Sequence, residues 1–265
     1  MSVLLQISDT HFGTEQTLVL EALVALALQL RPDVVVLSGD ITQRAVAAQF
    51  RQARHFVDRL MAPVVAIPGN HDIPLINIAA RLLSPYARYC LAFGDNLEPV
   101  FNTVDLLVVC VNTTRAYRHQ HGDVSQAQID RVVQLLQTAS AGQLRVVVVH
   151  QPIAVINAED KVDQLRNHAS AQKQWAAAGA DLVMGGHIHL PYTLALSGLD
   201  RPMWAVQAGT GVSTRVRAGV PNSVNVVRWG SSVAVGLCHI EQWDFEAVSQ
   251  TFVCVNVTQV APARP

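Results

Sequence analysis

Nine polar side chains stand at or just past the ends of short apolar runs: Asp9 and His11, Asp40, Asn70, His71 and Asp72, His150, and His187 and His189. Carboxylate, carboxamide and imidazole are groups that ligate divalent metals, and imidazole also moves protons near neutral pH. No thiolate accompanies them, which points to manganese, iron or zinc in a hydrolytic site rather than a cysteine-rich structural zinc. The densest cluster is Pro68-Gly69-Asn70-His71-Asp72. In a core each of its polar groups would need a buried partner. As a turn, with Gly69 supplying a backbone conformation that a side chain forbids, it aims them into a site. Asp9-Thr10-His11 and His187-Ile188-His189 share one spacing. In extended chain, residues two apart project to the same side, so each pair offers two ligands to one ion. The seven candidate ligands, Asp9, His11, Asp40, Asn70, His150, His187 and His189, exceed what one ion needs. They suit two ions sharing a carboxylate, an arrangement that clamps a phosphate and lowers the pKa of a water between the metals.

These positions require strands that end where the clusters begin. Residues 3–7, 34–37 and 64–67 are short apolar runs, as strands buried on both faces are. Between them, residues 18–30 carry Leu, Ala and Val at helical density up to Arg31-Pro32. Residues 45–60 set Val46, Phe50, Ala53, Phe56, Val57 and Leu60 among Gln, Arg and Asp, which predicts a helix with one wet face. This alternation predicts parallel pairing, with the polar clusters along the carboxyl edge where α/β sheets bind ligands. Further on, a helix is expected over 76–91, broken at Ser84-Pro85, then a strand over 106–111 and a polar loop over 112–123. The capping box Ser125-Gln126-Ala127-Gln128 starts a helix to Thr138. A strand over 144–149 ends on His150, an irregular stretch over 151–164 borders the site, and a helix over 170–178 precedes a strand over 182–184. Beyond Pro191, runs at 204–208, 223–229, 232–238 and 251–257 read as antiparallel strands completing a second sheet. One domain over 1–265 is expected, with 256–265 as a frayed tail.

The 265 residues are 50% hydrophobic and 15% charged, enough for a sizeable core and unlike a disordered chain. A net charge of -1 with no Lys/Arg cluster argues against long nucleic acid and against a charged membrane surface. The longest apolar region, 18–30, is too short to insert across a bilayer and is broken by Glu21 and Gln29. Cys90, Cys110, Cys238 and Cys254 are scattered and read as small buried hydrophobes in a reducing cytosol. Asp9 lies too early for a cleavable leader to precede it, so a soluble cytoplasmic protein is expected.

The blocks Asp9-Thr10-His11, Gly39-Asp40, Gly69-Asn70-His71-Asp72, His150 and Gly186-His187-Ile188-His189 resemble, in type and order, those of the calcineurin-like metallophosphoesterase superfamily. Residues 37–44 are similar to a bacterial branch that includes the class III cyclic-nucleotide phosphodiesterases. The resemblance spans Asp9 to His189 and fades beyond. It implies an α/β fold, a four-layer α-β-β-α sandwich of two mixed sheets flanked by helices. It implies one metal on Asp9, His11, Asp40 and His189, and another on Asp40, Asn70, His150 and His187, with Asp40 bridging. His71 would protonate the leaving oxygen, and Asp72 would orient His71.

The implied activity is hydrolysis of a small phosphodiester, 3′,5′-cyclic nucleotides first. A phosphomonoester, a nucleotide pyrophosphate or a phospholipid headgroup is an alternative on the same site. A metal-bound scaffold without turnover and a mononuclear zinc hydrolase are readings of another class. For substrate binding, Arg44, Arg115 and Arg166 are cations that could reach a phosphate, but each reads first as a solvated surface charge. Gln151 departs from the family pattern, since many relatives carry a second His directly after the His150 equivalent, and bears on the pocket mouth. His119 and His121 are not counted as ligands. Oligomeric state stays open, with a homodimer through the apolar C-terminal strands one option.

Overall fold

The computed structural model describes residues 1–118, 120–230 and 236–264. The chain opens with β1 (Ser2–Ile7), α1 (Thr17–Leu30), β2 (Val34–Leu37), α2 (Ala47–Arg59) and β3 (Val64–Ala66). Two short helices follow, α3 (Ile78–Leu83) and α4 (Ala87–Phe93), then β4 (Val100–Asn102), β5 (Leu106–Cys110), α5 (Gln126–Gln137) and β6 (Leu144–Val148). The remainder is α6 (His168–Ala177), β7 (Leu182–Gly185), β8 (Tyr192–Ala195), β9 (Trp204–Gln207), β10 (Ser223–Trp229), β11 (Cys238–Glu246) and β12 (Thr251–Val260).

Two mixed sheets stack face to face. One has the order β12-β11-β10-β1-β2-β3 and the other β4-β5-β6-β7-β9-β8. β1, β2 and β3 run parallel, as do β5, β6, β7 and β9, so their carboxyl ends share an edge in each sheet. The apolar runs are continuous because both faces of these strands are buried. Inward residues such as Leu4, Val36 and Ile67 meet Val108, Val146 and Met184 of the facing sheet. Outward residues of the first sheet pack under α1, α2 and α4, and those of the second under α5 and α6. The result is the expected α-β-β-α order. The capping box forms at Ser125, whose hydroxyl accepts the Gln128 N–H at 3.3 Å while Gln128 Oε1 accepts the Ser125 N–H at 3.1 Å. No helix among the described residues is long and apolar enough to cross a membrane.

The C-terminal strands differ from expectation. β10, β11 and β12 do not build the second sheet. They extend the first one as an antiparallel series, β10 on β1, β11 on β10 and β12 on β11, while β9 joins the second sheet parallel to β7. An alternating apolar run shows that a strand has buried faces, not which open edge it will pair with. Residues 231–235, most of the strand expected over 232–238, lie outside the described residues. The described residues do not form the frayed tail expected over 256–265: β12 continues to Val260, and Arg264 is docked, 3.0 Å from Asp181 Oδ1 and over the Trp229 ring. Cys110 and Cys238 are buried as expected, whereas Cys254 is exposed because β12 is an edge strand.

Candidate metal centre

Each cluster sits where a parallel strand ends and the chain turns sharply. Asp9, His11, Asp40, His187 and His189 take left-handed backbone conformations, with φ of 52°, 39°, 49°, 77° and 57°. Such a conformation costs a non-glycine residue on the order of 1–3 kcal/mol, and it clusters at functional sites. The surroundings hold it. The Asp9 N–H donates to the Gly39 carbonyl at 3.1 Å, the His11 N–H to the Asp40 carbonyl at 3.0 Å, and the His187 N–H to Asp9 Oδ2 at 3.0 Å. The pairs are therefore not extended, contrary to the simple two-residue alternation. Gly69 is needed for space rather than for an unusual conformation: its φ is -98°, yet a β-carbon there would stand 2.1 Å from the Asp40 amide nitrogen. A β-carbon on Gly186 would stand 2.0 Å from Ser8 Oγ.

The donor atoms gather into two groups with Asp40 between them. Asp9, His11 and His189 each bring one atom within 4.8 Å of the others, as do Asp40, His150 and His187; a third set, His11, Asp40 and His71, lies between. In the first group His189 Nε2 is 3.2 Å from Asp9 Oδ1 and 3.2 Å from His11 Nε2. His11 Nε2 is 3.7 Å from Asp40 Oδ2. In the second, His150 Nε2 is 3.3 Å from Asp40 Oδ1 and 3.3 Å from Asn70 Oδ1. The two oxygens of Asp40 thus face different groups. His187 and His189, expected from their spacing to share one ion, are divided between the groups, because both take left-handed turns.

This arrangement fits divalent cations. His150 Nδ1 donates to the Ser38 carbonyl at 2.8 Å and His189 Nδ1 donates to the Arg215 carbonyl. A carbonyl only accepts, so both rings carry hydrogen on Nδ1 and turn an Nε2 lone pair inward. Those lone pairs meet carboxylate oxygens, which in their ionised form also only accept. Buried acceptors so placed call for a cation between them. A proton can play that part: burial opposes charge on His150, but Asp40 pulls it up to about 9. Burial likewise opposes the charge of Asp9, yet His189 brings it down to about 2. Burial holds His11 down at about 3, so it stays a neutral donor. His187 is turned the other way, with Nε2 3.5 Å from Asp163 Oδ1 and a buried Nδ1 that has no partner among the described residues and can serve as the donor.

His71 stands beside both groups, its ring edge-on to His11 at 4.8 Å between centroids. Its Nδ1 donates to the Gln43 carbonyl at 3.0 Å, and its Nε2 meets Arg215 Nη1 at 3.2 Å. Asp72 does not orient it. The Asp72 carboxylate is taken up by the Gly69 N–H (2.8 Å), the Ile41 N–H (3.0 Å), the Thr42 N–H (2.7 Å) and the Thr42 hydroxyl (2.8 Å), stapling the loop after β2 to the loop after β3. Burial and the nearby charge of Asp40 push it up to about 6.

Of the arginines read from the sequence, Arg44 lines a small pocket with Asn70 and His71. Arg115 is turned away: its guanidinium donates to the carbonyls of Asn112 and Thr114 and to Gln128 Oε1. Arg166 lies in a separate surface cleft with Lys161 and His168. Gln151 is fully buried and does not line the mouth; it accepts from the Thr113 hydroxyl at 2.6 Å and donates to the Gln120 carbonyl at 3.1 Å, anchoring the polar loop. Arg215 and Asp163 were missed. Asp163 belongs to the irregular stretch expected to border the site, while Arg215 stands in a loop beyond the last recognisable block, with no spacing to mark it.

A family model described as calcineurin-like phosphoesterase matches residues 2–191. The chain is 26% identical over 209 residues to a cAMP/cGMP dual specificity phosphodiesterase from Mycobacterium tuberculosis, covering 71% of this chain and 61% of that protein. It is 28% identical over 170 residues to a probable cyclic nucleotide phosphodiesterase from Synechococcus, covering 61% of this chain and 59% of that protein. The chain thus spans about three fifths of the length of these two relatives. In fold it is similar to a dimetal phosphatase from Danio rerio, with a TM-score of 0.66 at 13% identity over 99% of each chain.

Proposed function

Since this chain belongs to the calcineurin-like phosphoesterase family, we propose that it is a two-metal phosphodiesterase of small diesters, with 3′,5′-cyclic nucleotides as the first substrates to try. The observation that carries this reading is the gathering of donor atoms on either side of Asp40, whose Oδ2 lies 3.7 Å from His11 Nε2 and whose Oδ1 lies 3.3 Å from His150 Nε2. Asp9, His11, Asp40 and His189 would hold one ion, and Asp40, Asn70, His150 and His187 the other. Oxygen and neutral imidazole donors suit manganese or iron, with zinc as the alternative. When bound, such a pair supplies positive charge to the phosphoryl oxygens and a nucleophile from water at neutral pH.

The protein's own groups do the rest. The carbonyls of Ser38 and Arg215 fix the tautomers of His150 and His189, keeping Nε2 inward. His71, held through Nδ1 by the Gln43 carbonyl, presents Nε2 at the site edge; once that nitrogen has taken up a proton and Arg215 has left it, the imidazolium can protonate the departing oxygen. The names of the two relatives favour a diester over a monoester. A cytoplasmic location goes with this reading. The test is hydrolysis of an activated aryl phosphodiester by manganese-loaded protein. Asp40→Ala removes the shared carboxylate and should abolish turnover, and full activity in that variant rejects the assignment.

A further inference from the structure

The geometry points to Arg215 as the residue that grips the phosphate of the substrate. Its Nη1 donates to Gln43 Oε1 at 3.0 Å and to His71 Nε2 at 3.2 Å, which places the guanidinium over the group that faces the two donor clusters. The chain fixes it there by its backbone: the Arg215 carbonyl accepts from Thr210 Oγ1 at 2.8 Å and from His189 Nδ1. A guanidinium is charged at every working pH, and its planar fork matches two phosphate oxygens. Among the described residues no carboxylate pairs with Arg215, although its neighbour Arg217 is neutralised by Asp160 at 2.8 Å and by Glu159. A half-buried cation held only by an amide oxygen and a ring nitrogen is poised to exchange both weak partners for an anion. Moving onto the phosphate would also uncover His71 Nε2 toward the leaving oxygen. Arg115, one of the three arginines considered above, is saturated by carbonyls and Gln128 and cannot do this.

This inference rests on the phosphoesterase reading, and its test does not depend on turnover. Inorganic phosphate is titrated calorimetrically into manganese-loaded wild-type protein, Arg215→Met, Arg215→Lys and Arg115→Met, with metal content measured for each. Because the bonds to His189 and Thr210 come from the Arg215 backbone, every variant should keep its metals. Arg215→Met should weaken phosphate binding by about 10- to 100-fold, the loss expected for charge-assisted bonds. Arg215→Lys, a point charge without the fork, should fall between, and Arg115→Met should match wild type. With an aryl diester the same ranking should appear in KM. Unchanged phosphate affinity in Arg215→Met overturns the assignment, as does loss of metal in both Arg215 variants, which would make the side chain structural. Wild-type protein that neither binds phosphate nor hydrolyses the ester overturns the phosphoesterase reading together with it.

Discussion

Gly69 and Asp40 stand so close that a β-carbon on the glycine would lie 2.1 Å from the Asp40 amide nitrogen and 2.2 Å from its Oδ1. That oxygen accepts the His71 N–H at 2.8 Å, so three residues of the site are set by one missing side chain. Gly69→Ala should leave the fold intact by circular dichroism but shift Asp40. A misplacement of about 1 Å can cost on the order of 100-fold in rate. We expect that loss in diester hydrolysis, with weaker metal retention on dialysis. Wild-type activity in Gly69→Ala would show that the two loops can part freely.

His71→Ala should retain both metals and lose turnover by roughly 10²–10⁴-fold, as removal of an acid catalyst does. The loss should be greater for an alkyl ester, whose alkoxide needs a proton, than for a nitrophenyl ester. Equal losses on both would assign His71 to charge stabilisation instead, and loss of metal would make it a ligand.

Asp72 ties two loops together through four donors. Asp72→Asn puts an N–H₂ group against donors that already point at it, and a buried unsatisfied group costs about 1–3 kcal/mol. Chemical denaturation should show that loss of stability, while the preference between alkyl and nitrophenyl esters stays as in wild type. A changed leaving-group preference would return Asp72 to a part in orienting His71.

A cation that binds the folded site and not the unfolded chain stabilises by about 2.7 kcal/mol at a hundred times its Kd. For a chain of this size each kcal/mol moves Tm by about 2–4 °C. Chelation should therefore lower Tm by roughly 5–10 °C, and manganese should restore it. An unchanged melting curve would mean that the donor clusters hold no ion worth the name.

Much of this molecule could be read from its residues. β2 and β10 begin and end where the runs read at 34–37 and 223–229 do, and Ser125 caps α5 as its spacing with Gln128 predicts. The donor residues could be found because each closes a hydrophobic run, a one-dimensional signal. Other features are three-dimensional and leave no such trace. β4 and β8 are short and half-exposed, so no apolar run announces them. Arg215 reaches His71 across 144 residues of sequence, and nothing near it in the chain says so. Asp72 stands beside His71 in sequence, but its acceptor capacity is met by Ile41 and Thr42 at another strand end and by the Gly69 N–H of its own loop. Gly69 looked like a conformational hinge and proved to be a gap filled by Asp40.

The division of donors between the two sheets sets a timetable for a chain made from its N-terminus. The first group needs Asp9 and His189 together, and the second needs Asp40 and His187. At the moment Asn70 is made, four of the seven donors exist and neither group is complete. Both reach their full complement within two residues of each other, at His187 and His189. A nascent chain therefore carries acidic and imidazole side chains with no finished cage until His187 and His189 are made, and an ion shared between the proposed donors could be held only after the second sheet docks on the first.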